Sequence, residues 1–214
     1  MAIVQNPVTG RTKKKFGSAV FSKQFGKNTM RTKPIEVRNP KTLPQKQQRA
    51  KFSLIVELAR LIMGFVRVGF KQAATGMSQF NVFVQSNIST AISGVFPNYA
   101  IDFTKIIVSK GTLTRVDGGA ASAAAGKKID VIWNDNSGNG DAQATDVAMV
   151  IAINNTKKTI VQDTLTKTRL DESLQLTAPA SWVGDTVHVY MAFKTPAGDK
   201  VADSTFLASV VILA

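Results

Sequence analysis

The chain has 214 residues, of which 44% are hydrophobic, and this is enough for the core of one large domain or of two small ones. It contains no cysteine, which excludes disulfide bonds, thiol nucleophiles, thiolate zinc sites and iron–sulfur clusters. Its single histidine, His188, excludes any site that takes two imidazoles from one chain. The net charge of +13 belongs to one end: residues 1–72 carry sixteen Lys or Arg and two acidic residues, whereas residues 73–214 carry eleven and twelve.

Neither a secretory signal nor a membrane span is expected. The few apolar residues at the N-terminus precede its charges, whereas in a secretory signal they follow them. The most apolar window, residues 52–70, is interrupted by Glu57, Arg60 and Arg67, whose charges are costly at the centre of a bilayer. We therefore expect a soluble helix there, and a protein located in the cytoplasm or in a particle assembled in the cytoplasm.

Residues 1–41 are predicted to form a basic arm with too few apolar residues for a core of its own. Between residues 13 and 33, two glycines separate β-compatible runs. If this segment is extended, its odd positions share one face that mixes aromatic and basic side chains. These positions are Phe21, Lys23, Phe25, Lys27, Arg31 and Lys33. A turn at Gly26, Lys27 and Asn28 would make the segment a β-hairpin instead.

Residues 42–97 are predicted to form a helical hairpin. The first helix starts between Thr42 and Gln45, with Thr42 as its N-cap, and continues to about residue 71. Its polar residues recur every three or four positions in one narrow stripe. The stripe consists of Lys46, Arg49, Ser53, Glu57, Arg60, Gly64, Arg67 and Lys71. The rest is apolar and needs cover from a second helix at 80–95, from a sheet or from another molecule. Aromatic residues of the arm and of this helix are the candidates for contact with another molecule in an assembly. They are Phe21 and Phe25 in the arm, and Phe52, Phe65 and Phe70 in the helix.

Residues 98–214 change to short β-rich runs separated by turn residues, which is typical of a sandwich. The predicted strands are 101–109, 112–115, 128–134, 147–154, 159–162, 173–177, 186–194 and 206–213, and the Gly- and Ala-rich run from Gly118 to Gly126 is predicted to be a loop. Seven or eight strands over about 110 residues favour an immunoglobulin-like fold. The expected class is therefore α+β: a basic arm, a helical hairpin and a β-sandwich.

Two resemblances support this division. The runs KIDVIWNDNSGNGDAQATDVAMVIAIN and SLQLTAPASWVGDTVHVYMAF resemble the strand order of a fibronectin type III domain. The resemblance places Trp133 as the core tryptophan of the second strand, Leu174 and Leu176 as the leucines before the penultimate strand, and Tyr190 in the late strand. Such a fold supports many functions and does not indicate one.

A second resemblance covers almost the whole chain. The motifs RNPKTLPQKQQRAKF, WNDNSGNGDAQATD, SWVGDTVHVYMAF and DSTFLASV are similar, in this order, to an uncharacterised family found in Bacteroidota genomes, domain of unknown function 6266. This resemblance implies kinship but no activity. The pattern Asn-Pro-x-Thr-x-x-Gln-x-x-Arg at residues 39–49 also resembles phage-derived proteins.

The basic arm has three interpretations. Lys and Arg could neutralise phosphates while aromatic side chains stack on exposed bases. They could instead bind an acidic protein surface or a neighbouring subunit, with the arm adding strands to it. They could also simply be solvated. The residues concerned are Arg11, Lys13, Lys14, Lys15, Lys23, Lys27, Arg31 and Lys33.

One loop imitates a calcium site. Oxygen-bearing residues stand at positions 1, 3, 5, 7 and 12 of a run with glycine at position 6, although the flanks are strands and the last ligand is Asp rather than Glu. The five residues are Asp135, Ser137, Asn139, Asp141 and Asp146. The alternative is an ordinary turn rich in Asn, Gly and Asp, which we favour; no metal or other cofactor is expected.

We do not expect an enzyme. His188 has no second histidine or cysteine as a partner, no two carboxylates are placed across a cleft, and no phosphate-binding glycine loop is present. The sequence instead predicts a structural protein without a small-molecule substrate, a self-associating subunit of a phage-like or other supramolecular assembly. The alternative is a nucleic-acid-binding protein that uses the basic N-terminal region on phosphates.

Overall fold

The computed structural model describes residues 2–3, 14–24, 26–36 and 39–214, with residues 2, 3, 14, 16 and 24 described by their main chain alone. Within these ranges the chain divides into two compact units, residues 1–45 and residues 46–214. The fold is mixed α+β, as expected, with antiparallel sheets and three α-helices in the described ranges. The three segments predicted from the sequence thus resolve into two units.

Unit 1 contains one antiparallel sheet, which we call the arm sheet. Its strands are β1 (Ala2–Ile3), β2 (Lys14–Phe16), β3 (Ala19–Gln24) and β4 (Lys27–Thr32), in the order β1-β4-β3-β2. The pairing of Gln24 with Lys27 makes β3 and β4 a hairpin with a two-residue connection. Gly26 lies in that connection at a φ of +81°, a conformation that glycine adopts without strain. The hairpin alternative is therefore the one adopted, with its turn one residue earlier than predicted.

Three helices begin unit 2, and we call them the helical layer: α1 (Leu43–Leu61), α2 (Met63–Gly69) and α3 (Gln79–Asn87). The predicted first helix is present but is divided at Ile62, whose φ of −99° and ψ of 20° are not helical. Hydrogen bonds continue across the junction, from Ile62 N to Leu58 O and from Val66 N to Ile62 O. All eight residues of the predicted polar stripe are exposed, as the spacing indicated.

The second helix is shorter than predicted. Ser78 caps α3 by accepting a hydrogen bond from Asn81 N at 3.3 Å, and the helix ends at Asn87 rather than near residue 95. A two-stranded hairpin follows, β5 (Ile92–Val95) and β6 (Asn98–Ile101). The apolar residues of this hairpin happen to continue the helical spacing, which is why the sequence pattern extended the helix into it.

The sandwich consists of seven further strands in two antiparallel sheets. They are β7 (Asp117–Ala124), β8 (Lys128–Asn134), β9 (Val147–Asn154), β10 (Thr159–Asp163), β11 (Ser173–Thr177), β12 (Thr186–Lys194) and β13 (Thr205–Val211). One sheet has the order β11-β8-β7 and the other β10-β9-β12-β13. Three strands facing four is the arrangement of an immunoglobulin-like sandwich. Short 3₁₀-helices lie at Phe103–Lys105, Arg169–Asp171 and Ala180–Trp182.

Three strand assignments are corrected. The run predicted as a loop, from Gly118 to Gly126, is largely strand β7, which β8 pairs despite its low β-propensity. Its glycines lie at a register shift between Asp117 and Ala120, where a Cβ on Gly118 would lie 2.3 Å from the Asn134 side chain. The predicted strand 101–109 is a 3₁₀-helix followed by irregular chain, and the predicted strand 112–115 is reduced to a single bridge at Leu113.

Two buried clusters hold unit 2 together, and the four-stranded sheet contributes to both. Between the sheets lie Trp133, Leu174 and Leu176 among others, as the fibronectin resemblance implied. On the other side of the four-stranded sheet, Met149, Ile151, Ile153, Tyr190 and Ala192 pack against the helical layer. Because strand residues alternate between faces, β9 and β12 are buried on both. Tyr190 therefore faces the helices rather than the sandwich interior.

Candidate interaction surfaces

The arm sheet separates its basic side chains between two faces. Directly paired residues share a face, and the pairs Lys15 with Val20 and Val20 with Arg31 place Lys15 and Arg31 on the same one. Alternation adds Lys27 to it. Phe21 lies on the opposite face and pairs with Met30. The shared face of odd positions, which we expected only for an extended segment, is therefore not formed, because the turn of the hairpin reverses the parity of β4.

The same alternation places Lys23 beside Phe21. Lys33 follows β4, and its main-chain N donates to Ser18 O at 2.7 Å. Of the remaining predicted binding residues, Lys14 is described by its main chain alone, and Arg11, Lys13 and Phe25 lie outside the described residues. The arm sheet thus presents five described basic residues, all of them exposed.

Very little of the arm sheet is buried. Among its described side chains only Thr29 is buried, and its hydroxyl donates to Ser22 O at 3.1 Å. Phe21 is half-buried, while Met30 and Ile35 are exposed. In the described part of the chain, none of the basic residues Lys15, Lys23, Lys27, Arg31 and Lys33 forms an ion pair. The described part of the sheet is therefore a positively charged surface with a single buried side chain.

The helix residues proposed for assembly are in different surroundings. Phe65 and Phe70 are completely buried, and Phe70 packs edge-to-face against Phe83 with ring centroids 5.8 Å apart. The helical layer and the four-stranded sheet of the same chain cover them. Both are corrected to core residues, with no surface to offer a second molecule. Phe52 is 47% exposed and lies on the outer side of α1.

The loop considered for calcium is held by the protein's own donors. Asp135 accepts a hydrogen bond from Ser137 N at 2.9 Å, and Asp141 accepts one from Thr114 N at 2.9 Å and from Lys200 Nζ at 3.4 Å. The hydrogen bonds from Ser137 keep the pKa of Asp135 below its usual value. Within the described ranges, no group of three or more His, Cys, Asp or Glu side chains is arranged so that it could hold a metal ion. Asp135 and Asp141 are thus engaged by donors of the protein itself.

Asp146, the last residue of that loop, forms a buried ion pair instead. Arg169 is completely buried, and its Nη2 lies 3.0 Å from Asp146 Oδ2. The guanidinium also donates to Asn136 Oδ1 and to Thr114 O, and it lies 3.9 Å from the ring centroid of Phe193. With several hydrogen bonds around it, this pair fastens the loop to the sandwich and is structural.

His188 is half-buried at the rim of the four-stranded sheet. Its ring stacks on Phe103 with centroids 4.1 Å apart, and Nδ1 lies 2.8 Å from Ser209 Oγ. Tyr190 fixes Phe103 by donating its hydroxyl hydrogen bond to Phe103 O at 2.5 Å. Burial lowers the pKa of His188 and raises that of Tyr190. Within the described ranges, the hydrogen bonds and ring contacts of His188 are to the Ser209 hydroxyl and the Phe103 ring, and no carboxylate is among them.

Comparison with known proteins identifies the family. A family model matches residues 11–208, which include most of the arm and nearly all of unit 2. The chain belongs to DUF6266, a family of unknown function. The match extends over both the arm sheet and the sandwich, so a DUF6266 function has to be sought in the two units together. A search of curated proteins gives no match. None of the helices in the described ranges is long and apolar enough to cross a membrane.

Proposed function

We propose that this protein is a non-enzymatic structural protein that self-associates into a supramolecular assembly through its arm sheet. Unit 2 is the rigid body of each subunit, and the arm sheet is the element that binds the neighbour. The observation that carries the proposal is how little of the arm sheet is buried: among its described side chains only Thr29 is buried. A small sheet of this kind gains stability when another surface covers it.

The source of the association differs from the one expected from the sequence. The apolar circumference of the first helix was the original reason to expect a neighbour, but unit 2 covers it internally. The remaining reason is the arm. Its hydrogen-bonded strands, exposed Met30 and five exposed basic residues favour contact with a surface that is partly apolar and acidic.

Charge supports a partner within the same protein. Residues 1–45 carry ten basic residues and one acidic residue, whereas residues 46–214 carry seventeen basic and thirteen acidic residues. Unit 2 is therefore also positive as a whole, and the arm can be attracted only to a local acidic patch on it. A basic surface and a local acidic patch on one molecule favour association between copies and orient it.

Nucleic acid is the second candidate function, and one observation favours it. Lys15, Lys27 and Arg31 lie on one face of the arm sheet, where they could follow a phosphate backbone. Phe21 lies on the other face, where Lys23 is the basic residue with a described side chain, so the three-residue basic face itself offers no described aromatic ring for stacking.

Sedimentation velocity of nuclease-treated protein at micromolar concentration and physiological salt tests the proposal. We expect the wild type to sediment as oligomers and the arm variant K15Q/K23Q/K27Q/R31Q as a monomer, because the variant removes the charges that bind the neighbour. The matched control R67Q/K71Q/K110Q/K157Q removes the same number of exposed charges from unit 2 and should associate like the wild type.

A monomeric wild type would overturn the proposal. Particles that form only when nucleic acid is added back, with an affinity that falls steeply as salt rises, would establish the second candidate in its place. Association of the arm variant at wild-type strength would show that the arm charges are not involved.

A further inference from the structure

The two outer faces of the sandwich are treated differently by the rest of the chain. The helical layer covers the four-stranded sheet. The three-stranded sheet has no such cover among the described residues, and Ile132 at its centre is 54% exposed. Its outward side chains on β7 are small, including Ala120 and Ser122. A flat surface with one large exposed apolar residue is suited to contact with another flat element.

Three carboxylates lie at one end of this sheet, and we call them the acidic corner: Asp117, Asp135 and Glu172. Asp117 Oδ2 accepts a hydrogen bond from Asn134 Nδ2 at 3.2 Å, and Glu172 Oε1 accepts one from Asp135 N at 3.1 Å. All three residues are exposed, and none forms an ion pair with a described Lys or Arg. The corner therefore presents three exposed carboxylates beside Ile132, and the guanidinium of the buried Arg169 offsets part of the charge of Asp135.

The spacing of the charges matches that of the arm sheet. Asp117 pairs with Asn134 on one side of β8, and on the other side Glu172, just before β11, accepts a hydrogen bond from Trp133 N at its main-chain O. Lys15 and Arg31 stand on either side of β3. Since neighbouring strands lie about 4.8 Å apart, each pair spans roughly 10 Å. Two strand intervals thus separate the outer charges on both surfaces, so Lys15 and Arg31 can face Asp117 and Glu172 together.

We propose that the acidic corner and the adjoining outer face of the three-stranded sheet receive the arm sheet of a second copy of this chain. The inference rests on the proposed self-association and names the surface that accepts the arm. The donor and the acceptor are different surfaces of the same molecule, so the contact is head-to-tail and repeats from copy to copy. Such contacts close into rings or continue as filaments.

Charge reversal in two separate variants tests this pairing. The variant K15E/K27E/R31E makes acidic the face of the arm sheet that carries Lys15, Lys27 and Arg31, and it keeps the acidic corner. The variant D117K/D135K/E172K keeps this face basic and makes the corner basic. Neither contains a complementary pair, so each alone should sediment as a monomer. Mixed in equal amounts, they should co-sediment as oligomers, because each arm then meets a corner of opposite charge. The control E57K/D102K/D199K changes the charge equally away from β7, β8 and β11 and should associate like the wild type.

A milder variant keeps the test decisive if reversal prevents folding. D117N/E172Q leaves the hydrogen bonds between Asp135 and Ser137 intact, and the loss of two exposed ion pairs should raise the Kd of association by roughly two- to thirtyfold. The matched control is E57Q/D199N, which should leave the Kd unchanged.

The outcomes distinguish a failure of the proposed acceptor surface from a failure of the proposed self-association. If both corner variants associate like the wild type while the arm variant is monomeric, the arm binds elsewhere and only this inference fails. If the two folded reversal variants stay monomeric when mixed, the inference also fails. A wild type that is monomeric would overturn it together with the proposed function.

Discussion

The chain contains two four-stranded antiparallel sheets that differ in almost every respect except strand number. In the sheet β10-β9-β12-β13, every residue of β9 after Val147 is buried, and β12 is buried from Val189 to Lys194. In the arm sheet, a single described side chain is buried. The sheet β10-β9-β12-β13 is a central layer between the helical layer and the three-stranded sheet. The arm sheet, in its described part, is an exposed surface.

The comparison shows that the fraction of apolar residues in the strands decides which sheet can form part of a stable core. The strands β9 and β12 are continuous apolar runs, which is the pattern of strands covered on two sides. The arm strands alternate basic, polar and apolar residues without enough of the last to form a layer. Charge follows the same division, because charged side chains are tolerated where burial is low.

The largest expected effect concerns the buried side of this contrast. Replacing Phe70 by Ala removes a ring that packs against Phe83, and it should lower the free energy of unfolding of unit 2 by about 3–5 kcal/mol. Urea denaturation followed by tryptophan fluorescence measures this, because Trp133 and Trp182 are both buried in unit 2 and are the only tryptophans of the chain.

Two controls accompany that variant. Phe52→Ala, on the exposed side of α1, should cost about 1 kcal/mol or less, since little packing is lost. Phe21→Ala, in the arm sheet, should leave the tryptophan transition unchanged. A shift of that transition by Phe21→Ala as large as that by Phe70→Ala would remove the contrast between the two sheets.

An intermediate effect on the stability of unit 2 is expected at Gly69, where α2 packs against the segment of residues 108–109 that precedes β7. A Cβ on Gly69 would lie 2.7 Å from Val108 O and 3.0 Å from Ser109 Cβ, so Gly69→Ala should destabilise unit 2 by about 1–3 kcal/mol. Gly64→Ala is the matched control in the same helix. Its nearest neighbour would be Gln162 Nε2 at 3.5 Å, and it should stabilise by about 0.5–1 kcal/mol through helix propensity. A melting temperature that rises for Gly69→Ala as it does for Gly64→Ala would contradict the close approach at Gly69.

The smallest effect is the pH dependence that His188 gives to the sandwich. Burial lowers the pKa of His188 in the folded state, so the unfolded chain takes up its proton at a higher pH than the folded chain. Its contribution to stability is present above the unfolded pKa of about 6.5 and is lost as the pH falls. The melting temperature of the wild type should therefore decrease between pH 7.5 and pH 5.5, and it should decrease less in His188→Gln. If the melting temperature falls equally with pH in the wild type and in His188→Gln, His188 is not the group responsible.

Much of the fold could be predicted from local patterns. The strands at 128–134, 147–154 and 173–177 were predicted with their observed bounds, because apolar runs or alternation were bounded by turn residues. The start of α1 and its polar stripe followed from the 3.6-residue period. These features depend on neighbouring residues alone.

The errors occurred where tertiary contacts decide. Strand β7 is made of Gly, Ala and Ser, and only its pairing with β8 makes it a strand. The hairpin β5–β6 continued the helical spacing of α3. The sequence left open whether a second helix, a sheet or another molecule covers the apolar helix, whereas the apolar runs of β9 and β12 were a signal that its own sheet does so.

For the candidate site, the sequence predicted which residues are basic but not how they are arranged. The separation of Phe21 from Lys27 and Arg31 depends on the hairpin register, which a one-residue difference in the turn inverts. The acidic corner was not predicted, because Asp117, Asp135 and Glu172 come from three separate parts of the chain and meet only across the sheet.

The coverage of one sheet on both sides determines how this protein can be dissected. Removing the helical layer would strip the outer face of β9 and β12, exposing Met149, Ile151, Ile153 and Tyr190 to water as one continuous apolar surface. An isolated sandwich would therefore aggregate, although its strand order alone is that of domains that fold independently. The smallest fragment expected to fold by itself is therefore residues 46–214, in which the helical layer stays with the sandwich.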